Sequence, residues 1–375
     1  MTRTGHLATA LGVGVACLAV VATPVAAFAH SAHRQHVAHP AKQASKPKVS
    51  VLNAAVLAPF QLDVAKNGLY VADGGTATVS RLGKNGLQKV ASGPKGGEVA
   101  GVAVNGKGDL AYTGSVFGPD GVLSSALTVK FNRGGTLKVD LLKYEKAHNP
   151  DQGVSYGITN PTDCQKAAFE PLGGATMKGG IDSHPYAVAA LPDGNWVVAD
   201  AGGNDLLKVT SKGHVSTIAV LPRQATKITK EAAAALKLPD CVVGATYNFE
   251  PVPTDVEVTG KGLIVSLLPG GPEDPSLGAR GSVQWVDWKT GKVRKLAGNF
   301  LGATNVAVGP HGWIFVAELF AGKISVLAAG HVLKYADLPG VVSLDWGNDR
   351  LYAGTMAPMD DQGKPTGKGS IVSIR

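Results

Sequence analysis

The amino-acid sequence predicts an all-β fold, a six-bladed β-propeller whose ring is closed by the N-terminal strand completing the last blade. Three observations carry this reading. One pattern recurs six times: a short alternating apolar strand, a turn rich in Gly, Asn or Asp, and a second apolar strand ending in a small or acidic residue. Uninterrupted copies are spaced by about 40 residues, the length of a four-stranded blade. The last copy stops one strand short, and the other end of the chain supplies the missing strand.

Residues 1–29 read as a secretory signal peptide. Arg3 and His6 form a polar start, residues 7–22 are almost wholly apolar, and Ala27-Phe28-Ala29 offers a small-x-small cleavage site. The apolar run falls short of the ~20 residues a membrane span needs, and no comparable run follows. A lipid anchor on Cys17 is the weaker reading, because Gly14 stands three residues before it and Cys17 lies inside the apolar run. The expected location is therefore secreted, outside the cytoplasmic membrane.

Residues 30–48 form a His/Lys/Pro-rich linker with no core-forming capacity, expected to be disordered. His30, His33, His36 and His39 recur there every third residue. Cleavage after Ala29 would leave His30 with a free α-amine beside its imidazole, a candidate chelate for Cu²⁺ or Zn²⁺ together with His33 and His36. A plain basic spacer is the competing reading.

Residues 49–375 hold the propeller. Its repeats read PFQLDVAKNGLYVAD from Pro59, AGVAVNGKGDLAYTG from Ala100 and PYAVAALPDGNWVVAD from Pro185. They continue as PTDVEVTGKGLIVS from Pro253, ATNVAVGPHGWIFVAE from Ala303 and VVSLDWGNDRLYAG from Val341. Turns such as Asn67-Gly68, Asp193-Gly194 and Asn348-Asp349 use residues that tolerate the positive φ of tight hairpins. KVSVLNAAVLAP from Lys48 resembles the outer strands GHVSTIAVLP from Gly213 and GHVLKYADLP from Gly330. Pairing it with residues 370–374 would cover an otherwise open sheet edge.

Two insertions interrupt the ring, at 143–182 and 222–251, and the second contains a short helix near 229–236. Each joins the outer strand of one blade to the inner strand of the next. With long turns at 267–280 and 355–369 they elaborate one face, and loops on a rigid ring are where function usually sits. Cys164 and Cys241 fall one in each insertion. Removal of the leader leaves only this intramolecular pairing, and an oxidising compartment favours a disulfide. The formal charge of +8 lies partly in the linker, and no basic patch interleaved with aromatics suggests nucleic acid.

DSHPYAVAALPDGNWVVADAGGNDLLKV from Asp182 and VPTDVEVTGKGLIVS from Val252 resemble the ScyD/ScyE family of exported bacterial propellers, and the resemblance spans the ring. It implies the fold and little else, since that family's activity is not established. More distantly, the repeats resemble streptogramin lyases and gluconolactonase-type calcium hydrolases, which implies inspecting the axis for a metal.

Aligned inner strands place two polar columns on the axis, because side chains alternate with period two. One contains Gln61, Asp255, Asn305 and Ser343; the other contains Asp63, Glu257 and Asp345. Asp255 and Asn305 resemble the axial ligands of gluconolactonase-type enzymes, and carboxylate and amide oxygens suit calcium. That pattern also requires an early-blade glutamate, where this chain offers Gln61 and Asp63. Both readings stay open: an axial calcium on Asp255, Asn305 and Gln61, or polar groups bonded to one another and to water. His184 resembles the histidine of lyase-like repeats but reads first as an exposed loop residue. Asp73, Asp200 and Glu318 end second strands and read as turn anchors. A nucleophile-elbow match around Ser155 and a phosphate-loop match at residues 363–368 both lack the required context.

No complete catalytic set emerges, so an enzyme is not the leading expectation. The sequence favours a binding scaffold whose loop face receives a protein, an envelope component or a small molecule. The alternative is a metal-dependent hydrolase or lyase using the axial residues and His184.

Overall fold

The computed structural model describes residues 47–272, 275–360 and 362–375. The expected leader, most of the linker, and His30, His33 and His36 lie outside the described residues. The described chain is nearly all-β, with seven four-stranded antiparallel sheets and few helices, consistent with a β-propeller.

Sheets I (59–92), II (102–140), III (185–220), IV (253–300) and V (303–337) each take four consecutive strands. Sheet VI combines Val341–Gly347, Arg350–Thr355 and Gly369–Ile374 with Val49–Val56 from the other end of the chain. Val49 lies opposite Ile374 and Val51 opposite Val372. The first strands of sheets I to VI touch in that order, and the first strand of sheet VI touches that of sheet I.

Apolar contacts between successive sheets hold this arrangement. Ala187, Val197 and Leu206 of sheet III pack on Val256, Leu263 and Val265 of sheet IV. Val56, Tyr352 and Ile371 of sheet VI pack on Leu62, Leu69 and Val71 of sheet I. With both faces covered, second strands read as apolar runs rather than alternations. Trp196–Asp200 and Gly262–Leu267 are buried throughout, whereas the outer strand His331–Asp337 is mostly exposed. The Asn348-Asp349 turn has φ of 51° and 56°, the two positive values that a type I′ hairpin needs.

The seventh sheet was not foreseen. Its strands run Thr176–Lys178, Ser155–Ile158, Thr246–Phe249, Gln224–Lys227, so both insertions contribute to one unit. Segments of three or four residues are too short for periodicity to register. Three helices accompany them: α1 (Leu141–His148), α2 (Asp163–Phe169) and α3 (Lys230–Ala235). The last sits where the sequence placed it, N-capped by Thr229, whose hydroxyl accepts from the Ala232 N–H at 3.0 Å. Ile158, Phe169, Ala175, Ile228, Ala233 and Val242 give this unit its own core. A Cys164–Cys241 disulfide joins α2 to the second insertion across 77 residues of sequence.

Candidate functional site

The inner strands bring Gln61, Asp255, Asn305 and Ser343 to the region where the first strands of sheets I, IV, V and VI meet, called the axis below, and all four are buried. Their oxygens are engaged by neighbouring strands. Gln61 Oε1 accepts from the N–H of Val102 at 2.8 Å and of Val188 at 3.1 Å, while its amide donates to Asp255 Oδ1 at 2.9 Å. Asp255 Oδ2 accepts from Val306 N–H at 3.0 Å, and Asn305 Oδ1 from Leu344 N–H at 2.7 Å. The Ser343 hydroxyl donates to the Pro59 carbonyl at 2.5 Å. The column is thus a lacing between sheets that satisfies main-chain groups at strands too divergent to pair directly. As it stands, this donor set does not fit a calcium ion, since binding would displace main-chain hydrogen bonds. Among the described residues, no three His, Cys, Asp or Glu side chains close on one point as a preformed metal centre.

Farther along the channel stand Asp63, Glu257 and Asp345, half-buried and surrounded by protein. Asp63 Oδ2 accepts from Val104 N–H at 3.1 Å, and Asp345 accepts from the N–H of Val64 at 2.5 Å and of Trp346 at 2.6 Å. Burial raises the Asp63 carboxyl to about 8, with the Asp345 charge adding to it. Asp255 and Asp345 are each pushed up to about 7, burial being the largest cause. Glu257 is held well above the ordinary carboxylate range by burial and by Asp345, Asp255 and Asp63. Carboxyls crowded in a narrow channel share protons at neutral pH.

At the opposite end of the inner strands, on the side of the insertions, lies an apolar cup that encloses about 50 Å³ and opens outward. Phe60, Tyr186, Val342, Leu268, Phe320 and Met356 line it, drawn from strand starts and from the turns between second and third strands. His184 is on its wall and, contrary to the sequence reading, is only 1% exposed. Its ring packs edge-on against Phe117 and Tyr186, and Nε2 bonds to Glu98. Burial opposes the charged imidazolium, but Glu98, as a charge and as a hydrogen-bond partner, together with the charges of Asp200 and Asp182, outweighs it and holds His184 above its ordinary pKa. The sequence missed Glu98 because it precedes the second repeat, 86 residues before its partner.

The acids ending second strands pin local structure. Asp73 accepts from the N–H of Ala58 at 2.8 Å and of Gly75 at 3.2 Å, and Glu318 from Leu301 N–H at 2.8 Å. Asp200 accepts from His184 N–H at 2.6 Å, so it also sets the backbone of the cup's histidine. Ser155 opens a strand of the insertion sheet, which denies it the strand-to-helix turn of a nucleophile elbow.

No family model and no curated protein sequence matches the chain. Its likeness to solved structures lies with distant β-propellers. The PQQ-bound aldose sugar dehydrogenase of Streptomyces coelicolor is 13% identical over 88% of this chain and 98% of that one, with a TM-score of 0.51. A gluconolactonase from Xanthomonas campestris is 12% identical over 88% and 89%, with a TM-score of 0.50. A streptogramin B lyase is 14% identical over 88% and 98%, at a TM-score of 0.46. At such identities the likeness shows the fold alone.

Proposed function

We propose that this chain is an exported six-bladed β-propeller of the ScyD/ScyE type. In this reading it is a binding scaffold whose elaborated face receives a small, largely apolar molecule in the cup. The leader-like N-terminus supports export. The pairing of Val49–Val56 with the last strand, and the apolar contact between sheets VI and I, support a ring closed by the N-terminal strand. The observation that carries the function is the cup itself: it encloses about 50 Å³, room for an apolar group of a ligand whose remainder lies across the mouth, and its wall is apolar apart from a few polar groups. The insertions and long turns on that side would set access. An axial calcium on Asp255, Asn305 and Gln61 forms no part of this reading.

Titration with a fluorescent apolar probe tests it. Met356→Trp, which fills the cup, should weaken binding by about tenfold or more. Unchanged affinity would exclude the cup as the site.

A second reading, a hydrolase or lyase with His184 as acid–base group, draws on one observation. His184 Nδ1 is buried without a hydrogen-bond partner while Nε2 is oriented by Glu98. His184→Gln would then abolish turnover of a bound ester or lactone and leave its affinity intact.

A further inference from the structure

A second cluster of acids lies outside the channel, where the two insertions meet sheet III. Glu145 comes from α1 and Asp151 from the segment after it, while Asp200 and Asp205 flank the turn of sheet III. All four are buried, none more than 4% exposed. Their positions converge. A Cβ built on Gly203 would stand 3.5 Å from each of Asp200 Cγ, Asp205 Oδ1 and Glu145 Oε2, so the missing side chain leaves a space that three carboxyls face.

The decisive feature is what these oxygens do not touch. Both carboxylate oxygens of Asp205 are buried with no hydrogen-bond partner, and so are Glu145 Oε1 and Asp151 Oδ1. A buried carboxylate without a donor is costly, and the usual remedy is a proton, a cation or a metal. Asp205 is only 1% exposed, which rules out bulk solvent as the remedy. The charges acting on the four groups are one another, Asp182 on Glu145 and, for Asp200, His184.

We propose that Asp205 and Glu145, backed by Asp151, bind a hard divalent cation of the Ca²⁺ class through their unpartnered oxygens, and that this ion fastens the insertions to sheet III; Asp200, whose oxygens accept from the His184 and Gly203 N–H groups and the Ser183 hydroxyl, borders the space. An all-oxygen, carboxylate-rich set selects such an ion over softer metals. The carboxylates stand open around the space at Gly203, and binding would draw them inward to calcium–oxygen distances of about 2.3–2.6 Å. The surroundings are braced on both sides. Asp151 Oδ2 accepts from Tyr156 Oη at 2.8 Å and Asn204 Nδ2 at 3.1 Å, and the same Asn204 amide reaches Glu250 of the second insertion at 3.3 Å. Because Asp200 also holds the His184 main chain, the ion would stiffen the cup's rim.

Thermal unfolding of the purified protein at about pH 7.5, in about 1 mM Ca²⁺ against EGTA, tests the proposal together with calorimetric Ca²⁺ titration. Calcium should raise Tm by about 5 °C with saturable binding. Asp205→Asn, which removes repulsion and should fold in EGTA, and Gly203→Ala, which fills the space, should each lose the shift; Asp255→Asn should keep it. No shift and no binding heat in the wild type would overturn the proposal. So would a shift that survives both nest variants, or one lost only in Asp255→Asn, which would place the ion on the axis.

Discussion

Two groups of buried acids occur in this molecule, and they differ in what faces them. On the axis, Asp255, Asp63 and Asp345 accept hydrogen bonds from peptide N–H groups of neighbouring strands. In the nest under the insertions, Asp205 faces only other carboxyls. A carboxylate among main-chain donors is a structural fastener, whereas one without donors requires a proton or a cation. Composition does not distinguish the two groups; the orientation of the surrounding peptides does.

The largest expected effect concerns the roof of the nest. The Cys164–Cys241 bridge closes a long loop and should stabilise the insertion unit by about 4–5 kcal/mol by chain entropy. Reduction, or the double substitution to Ala, should raise hydrogen exchange in residues 155–178 and 224–249 while sheets I to VI stay protected. Uniform exchange across both regions would show that the insertions and sheets I to VI unfold as one.

On the axis, Asp255→Ala leaves the Gln61 amide and the Val306 N–H without their acceptor, and should cost about 3 kcal/mol in denaturant unfolding. Asp205→Ala, measured in EGTA, should be neutral or stabilising because it removes repulsion and no hydrogen bond. Equal losses for the two substitutions would erase the contrast drawn above.

A smaller effect, of about 2 kcal/mol, is expected from Asp63→Asn, and it should appear only at high pH. The folded-state carboxyl sits at about 8 against an ordinary value of 3.8, so the folded protein holds a proton that the unfolded chain releases. Between these values stability falls as pH rises, and it is lowest above the folded pKa. The Asn variant keeps an acceptor for Val104 and escapes that decline. It should match the wild type near pH 4 and exceed it at pH 9, the gain limited because neighbouring acids retitrate. A pH-independent difference would mean that Asp63 is not the group carrying the proton.

The sequence by itself determined the local units. Apolar runs punctuated by Gly, Asn and Asp specify short strands and hairpins, because period-two side chains and positive-φ turns are encoded within a few residues. It also placed Gln61, Asp63, Asp255, Asn305 and Asp345 in inner-strand columns, and, with Cys17 assigned to the expected leader, it left Cys164 only Cys241 as a partner. Tertiary structure decided everything that depends on facing groups far apart in the chain. Glu98 meets His184, Gln61 laces two other sheets, and four-residue strands from separate insertions form one sheet. The nest is the clearest case. Asp200 reads as one more turn anchor, and only the approach of Glu145 to Gly203 turns it into part of a buried negative site. Local sequence fixes which groups are present on a strand, but desolvation and charge are summed over all neighbours in space, and these become known only when the chain has folded.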